Sequence, residues 1–265
     1  MEAKFEHYSF DKRLKSMLKV DFRRMFTMPL LYIILGICFV VPILILVMTT
    51  MLGGEPADGI ATEAEAAMMF TNTWQAIGSL SGGDMMSMDL TTMCNINMLY
   101  FGLAVLVCLF VSEDFKSGYS KNLFTVRAKK GDYVISKTLV CFVGGAIMLL
   151  AYFIGAVIGG AIAGLPFDTG EAGIVGIVMC MLAKIFLTAV FIGIDLAVSV
   201  AAKQRTWLSM VLSLMAGMLL FMMIPMMTPL NSTIVNVIMC LAGGALFSAG
   251  LGAVSNVILK KTSLV

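Results

Sequence analysis

Six apolar runs, each long enough for a bilayer-spanning helix, alternate along the chain with polar segments. They cover roughly positions 30–52, 93–112, 138–164, 173–201, 207–227 and 233–259. A spanning helix needs about 20 mostly apolar residues, because its backbone polar groups must be satisfied within the segment once water is gone. The pattern predicts an all-α polytopic membrane protein with six transmembrane helices in one domain, 30–265. Ahead of it, Phe10, Leu14, Met17, Leu18, Phe22, Met25 and Phe26 recur at helical spacing among Lys and Arg. This predicts a cytoplasmic amphipathic helix at the membrane surface within segment 1–29, which either anchors the first span or acts with it. Pro29 fits a helix break before that span. The first run is too long for a removable signal peptide and has no small-residue cleavage pattern, so it is expected to stay in the mature chain.

Composition agrees with the pattern. Of 265 residues, 60% are apolar and 13% charged, and mean hydropathy is +0.97. A soluble domain carries about a quarter charged residues, so a water-soluble fold is excluded. The net charge of +2 hides an uneven distribution. Seven basic residues precede the first span (Lys4, Lys12, Arg13, Lys15, Lys19, Arg23, Arg24) and six occupy the second connection (Lys116, Lys121, Arg127, Lys129, Lys130, Lys137). Lys203 and Arg205 in the fourth connection and Lys260 and Lys261 in the tail bring the total to 17 of 18. The first, third and fifth connections carry none, and the first is acidic at Glu55, Asp58, Glu63, Glu65, Asp84 and Asp89. Basic residues near span ends stay in the cytoplasm, so both termini are predicted to be cytoplasmic.

The enzyme templates lack parts. The one histidine, His7, cannot assemble a metal site or a catalytic triad within the chain, and neither phosphate-cradling glycine motif is present. Six cysteines lie scattered without Cys-x-x-Cys spacing and read as small core residues. Gly155, Gly159, Gly160 and Gly164 in span three, with Gly244, Ser248 and Gly252 in span six, predict close helix packing. Twenty-four methionines serve either as lipid-compatible filler or as a pliable apolar surface, with Met215, Met218, Met222, Met223, Met226 and Met227 in span five. The outer segment 53–92 has a helix-like stretch around 62–77 and is too small for a catalytic domain. Lys184 and Asp195 both fall in span four, where charge is expensive. They share a face but are about 16 Å apart along the axis, so each needs its own partner or a wet cavity. They either line a translocation path or fix packing.

The most specific stretch runs from Ser112 to Lys137. Glu113 and Asp114 close span two, Gly118-x-x-Lys121-Asn122 opens a short helix, and Lys130 precedes Lys137 by seven positions. In this order and spacing the chain resembles the transmembrane subunits of type-2 ATP-binding-cassette (ABC) permeases. It departs from their pattern at Arg127, where Pro is common, and at Tyr119, where Thr is frequent. The six-span layout, the amphipathic first helix and the longer first outer loop extend the resemblance over the whole chain.

The resemblance implies that Glu113, Asp114, Gly118, Lys121 and Asn122 belong to a coupling helix docking on a separate ATPase. It also implies two permease copies with two ATPases, the path lined by spans one, two and five. The chain itself would need no cofactor, ATP and Mg being held by the ATPase, and would be no enzyme. In size, loop motif and apolar, Met-rich spans the chain is similar to the small members without a large outer domain, the lantibiotic-immunity and phenol-soluble modulin exporters of Gram-positive bacteria. That implies a multi-pass protein of a bacterial cell membrane exporting amphipathic or hydrophobic peptides, or a lipid-like substrate. The alternatives are an ABC permease for lipid, drug or sodium, an ion-gradient-driven transporter with Lys184 and Asp195 as relay, and a passive scaffold.

Overall fold

The computed structural model describes residues 10–52, 70–78, 95–126, 130–221 and 223–261. His7, Cys94, Arg127, Lys129, Glu63, Glu65, the methionines at 85–93 and Met222 lie outside them, as does most of the helix expected at 62–77. All regular structure among the described residues is helical. The α-helices are α1 (Phe10–Thr27), α2 (Pro29–Leu52), α3 (Leu99–Lys116), α4 (Tyr119–Val126), α5 (Lys130–Ala163), α6 (Gly173–Ala202), α7 (Thr206–Phe221), α8 (Ile224–Met227) and α9 (Ile234–Lys261).

Five of these segments are long and apolar enough to cross a membrane: Pro29–Met51, Ile96–Lys116, Lys130–Ala163, Gly173–Ala202 and Ile234–Lys261. The run expected at 207–227 is divided. Helix α7 has 16 residues, about 24 Å at 1.5 Å each, and α8 follows after a break. Pro225 causes it: a proline in the first turn of α8 has no N–H to return to α7. The second run starts later than expected, a 3-10 turn at Ile96–Met98 leading into α3, which continues to Lys116. Helix α5 has 34 residues, about 51 Å, and exceeds a hydrocarbon core of about 30 Å. Its first turns carry Lys130, Asp132 and Lys137 and are where α1 and α4 pack.

Helix α6 is the hub, touching α3, α5, α7 and α9, and the most extensive pairs are α6 with α9 and α2 with α5. Small residues permit both. A Cβ on Gly155 would run into the carbonyl oxygen of Phe39 and one on Gly159 would lie 2.7 Å from the Ile43 Cα, so α5 rests against the backbone of α2. A Cβ on Gly244 would lie 2.8 Å from the Phe186 carbonyl oxygen, and Ser248 Oγ donates to the Ala189 carbonyl at 2.8 Å. Gly164 differs from the expectation. It packs on nothing within 4 Å and adopts φ +70, ending α5 while Leu165 N–H donates back to Gly160. At the same end Asn72 caps a 3-10 turn, Thr73–Ala76, and Trp74 packs on Phe153 and Phe167. Cys38, Cys108, Cys141, Cys180 and Cys240 are buried free thiols.

Candidate functional site

At the basic end, α1 presents an unexpected stripe. Its buried positions are Met17, Asp21 and Met25, spaced by four, so a carboxylate sits between two thioethers on the face turned to α5. Phe26 on the other side is 39% exposed, consistent with a membrane-surface face. Asp21 is fully enclosed, and its partners come from the first turns of α5. Lys137 Nζ lies 2.9 Å from Asp21 Oδ1, and Ser136 Oγ donates to Asp21 Oδ2 at 2.6 Å.

The same Lys137 Nζ lies 2.7 Å from Asp114 Oδ2 in the last turn of α3, and 3.8 Å above the Phe110 ring. Arg24 from α1 donates to Asp114 Oδ1 at 2.5 Å, and Tyr133 Oη donates to Oδ2 at 2.9 Å. Two carboxylates, Asp21 and Asp114, thus balance two cations, Arg24 and Lys137. Such a balance is what makes charge burial tolerable, since each ion alone would bear a desolvation penalty of several kcal/mol. At the edge, Arg13 Nε donates to Asp132 at 2.9 Å.

The cluster reaches α4 through Tyr119, its first residue. The guanidinium of Arg24 stacks 4.2 Å from the Tyr119 ring. Burial pushes the Tyr119 hydroxyl upward, the negative charges of Asp21 and Asp114 add to this, and Arg24 opposes it. Burial would lower the Arg24 pKa, but the charge and hydrogen bond of Asp114, with the charges of Tyr119 and Asp21, together raise it. Gly118, at φ +73, makes the turn between α3 and α4, and Asn122 N–H donates to its carbonyl at 3.1 Å. A side chain there would be strained. Lys130 Nζ donates to the Leu259 carbonyl at 2.6 Å, tying the last turn of α9 to the start of α5.

The five residues singled out in this loop divide by orientation. Asp114 is buried and holds the cluster, Gly118 sets the turn, and Glu113, Lys121 and Asn122 are exposed. Sequence reasoning did not single out Asp21, Arg24, Tyr133 or Ser136 as site residues. The signal was present for Asp21, an acid four residues from Met17 and from Met25 on an apolar stripe.

Lys184 and Asp195 occupy separate networks. Lys184 is fully buried; its Nζ donates to Asn97 Oδ1 at 2.7 Å and to Thr228 Oγ1 at 2.9 Å, and Tyr100 Oη donates to its carbonyl. It ties the 3-10 turn ahead of α3 to the segment after α8. Asp195 faces the Ser213 hydroxyl of α7, one turn from the Ser199 and Ser209 hydroxyls, which lie 2.7 Å apart. The buried positions of α7 are Ser209, Ser213, Gly217 and Phe221, again spaced by four. Lys184→Met is expected to fold with a loss of about 1–3 kcal/mol, the penalty of leaving Asn97 unpaired. Thr228 keeps its bond to the Ile224 carbonyl at 2.8 Å. Thermal melting of the detergent-purified variant measures this, and failure to assemble would contradict it.

Between α2 and α3 lies an apolar cavity of about 330 Å³, lined by Ile37, Cys38, Val41, Met98, Gly102 and Val105 among others. Compared with protein-family models, curated proteins and solved structures, the chain matches none.

Proposed function

We propose that this chain is the membrane-spanning permease subunit of an ATP-driven exporter of the type-2 ABC kind. In this reading α7 and α8 together complete a sixth crossing, both termini are cytoplasmic, and two copies meet two ATPase subunits. The observation that carries it is the mounting of α4. Its exposed side offers Lys121 and Asn122, while its base is fixed through Tyr119 and Arg24 to the Asp21, Asp114 and Lys137 cluster. A push on α4 is therefore passed to α1, α3 and α5 together rather than absorbed in a loose loop. Rigid-body tilting of packed helices is an established way of turning a soluble subunit's movement into gating.

The α2–α3 cavity supports the proposed cargo class. Its lining is almost wholly apolar, which suits amphipathic peptides or lipid-like molecules better than sugars. Glu113 and Lys121 then act at the ATPase surface, as exposed residues outside the cluster.

The test is reconstitution with a candidate partner ATPase, sought first among the products of neighbouring genes. Lys121→Glu is expected to lower cargo-stimulated ATP hydrolysis at least tenfold, because a misplaced charge at a docking surface disfavours the partner by several kcal/mol. Melting temperature should not change, since Lys121 touches none of the buried ions. Unchanged stimulation, or transport by the chain alone, would overturn the proposal.

A further inference from the structure

The inner ends of α3, α4, α6 and α7 enclose a second cavity, of about 630 Å³. Lys116 and Lys121 line one bank, and Lys203 and Arg205 the other. No carboxylate is among its lining residues. Four like charges around one hollow repel one another, so the arrangement favours a bound anion. Lys203 also adopts φ 55 and ψ −112, a conformation that a non-glycine residue keeps only where its surroundings dictate it. The rest of the lining includes the apolar side chains of Phe115, Ala201 and Leu208.

What leaves the cavity decides which anion it suits. Along α7, Trp207, Val211, Met215 and Met218 form one stripe at helical spacing and are 67%, 46%, 62% and 71% exposed. The stripe lies opposite the buried Ser209, Ser213 and Gly217 face and begins two residues after Arg205. Tryptophan at the cationic end of such a stripe is placed as at a membrane interface. A soluble phosphate would use the cations alone, whereas a lipid would use the cations and the apolar stripe that adjoins them. We propose that this cavity binds the phosphate headgroup of an anionic phospholipid of the cytoplasmic leaflet, whose acyl chains lie along α7 from Trp207 to Met218. The site rests on the membrane orientation given above but not on the ATPase reading. Lys203 and Arg205 hold the phosphate, and Lys116 completes the charge around it.

The experiment uses the full chain in phosphatidylcholine vesicles, with Trp74→Phe so that Trp207 is the sole tryptophan, excited at the red edge where tyrosine does not absorb. Phosphatidylglycerol with brominated chains is expected to quench Trp207 well beyond brominated phosphatidylcholine at the same mole fraction. Each basic side chain near an anionic surface contributes about fivefold, so Lys203→Gln with Arg205→Gln should weaken the phosphatidylglycerol preference about 25-fold. Lys203→Arg with Arg205→Lys should keep it. Equal quenching by the two lipids, or a preference untouched by double neutralisation, would overturn the proposal. Displacement of the brominated lipid by millimolar inorganic phosphate would identify a soluble-anion site instead and overturn it as well. If the neutralised variant fails to fold, the comparison of the two lipids on the Trp74→Phe chain decides alone. No ATPase is present, so a negative result here leaves the transport reading standing, and the reverse holds too.

Discussion

Lys137→Met is expected to destabilise the protein by about 3–5 kcal/mol, the loss typical when one partner of a buried ion pair is removed. The side chain is fully enclosed and lies within 3 Å of two carboxylates from different helices. Without it Asp21 keeps only the Ser136 hydroxyl, while Asp114 keeps Arg24 and Tyr133. The damage therefore falls on α1, which should detach from α5 before the bundle melts. Limited proteolysis within 10–27 and the melting temperature of the detergent-purified variant measure the two effects. Asp21→Asn on the same background should recover much of the stability, because it removes the charge left unpaired. Equal melting of Lys137→Met and the parent would show that the cluster does not hold α1.

The second large effect is steric. Gly155→Leu should displace α2 from α5 and prevent normal assembly, because even a single carbon at that position overlaps the Phe39 carbonyl and comes within 2.9 Å of the Pro42 ring. Gly155→Ala is expected to lose about 3 kcal/mol, the upper part of the overpacking range, since the obstacle is backbone and cannot rotate aside. Gly159→Ala should behave alike, with the Ile43 Cα as its obstacle. Gly36→Ala in α2 is the control: nothing lies within 4 Å of its added carbon, so melting should be unchanged or slightly raised. Cross-linking between α2 and α5 and thermal melting together separate local displacement from general unfolding. If Gly155→Ala melts like Gly36→Ala, the close approach of these two helices does not support the fold.

Much of the architecture could be read along the chain. Five spans stood out because a helix in hydrocarbon must satisfy its own backbone, which leaves a long apolar run as its mark. The division of α7 from α8 was less legible. Pro225 was visible, but the apolar run continues past it to 227, so the segment read as one span. Adjacent acids illustrate a sharper limit. Glu113 and Asp114 differ by one position, which is about 100° on a helix, so one is exposed and the other is buried beside Lys137. Nothing local distinguishes them, because the choice depends on where α1 and α5 stand. The glycine motif of span three divides for a similar reason. Gly155 and Gly159 face α2, while Gly164 has passed the end of the helix and serves as its terminator.

Lys184 and Asp195 carry the same lesson. Shared helical face and axial distance correctly kept them apart, yet their partners, Asn97 with Thr228 and Ser213, come from segments 44 to 87 and 18 residues distant. From sequence alone came the helical class, the membrane environment and the gathering of cations at one end, because hydropathy and charge are properties of single segments. Only the folded bundle decided which charges were enclosed together, which cavities they left open and which helix backbones touch. Those outcomes are set by the meeting of surfaces from α1, α3, α5 and α6, and no one segment contains that information.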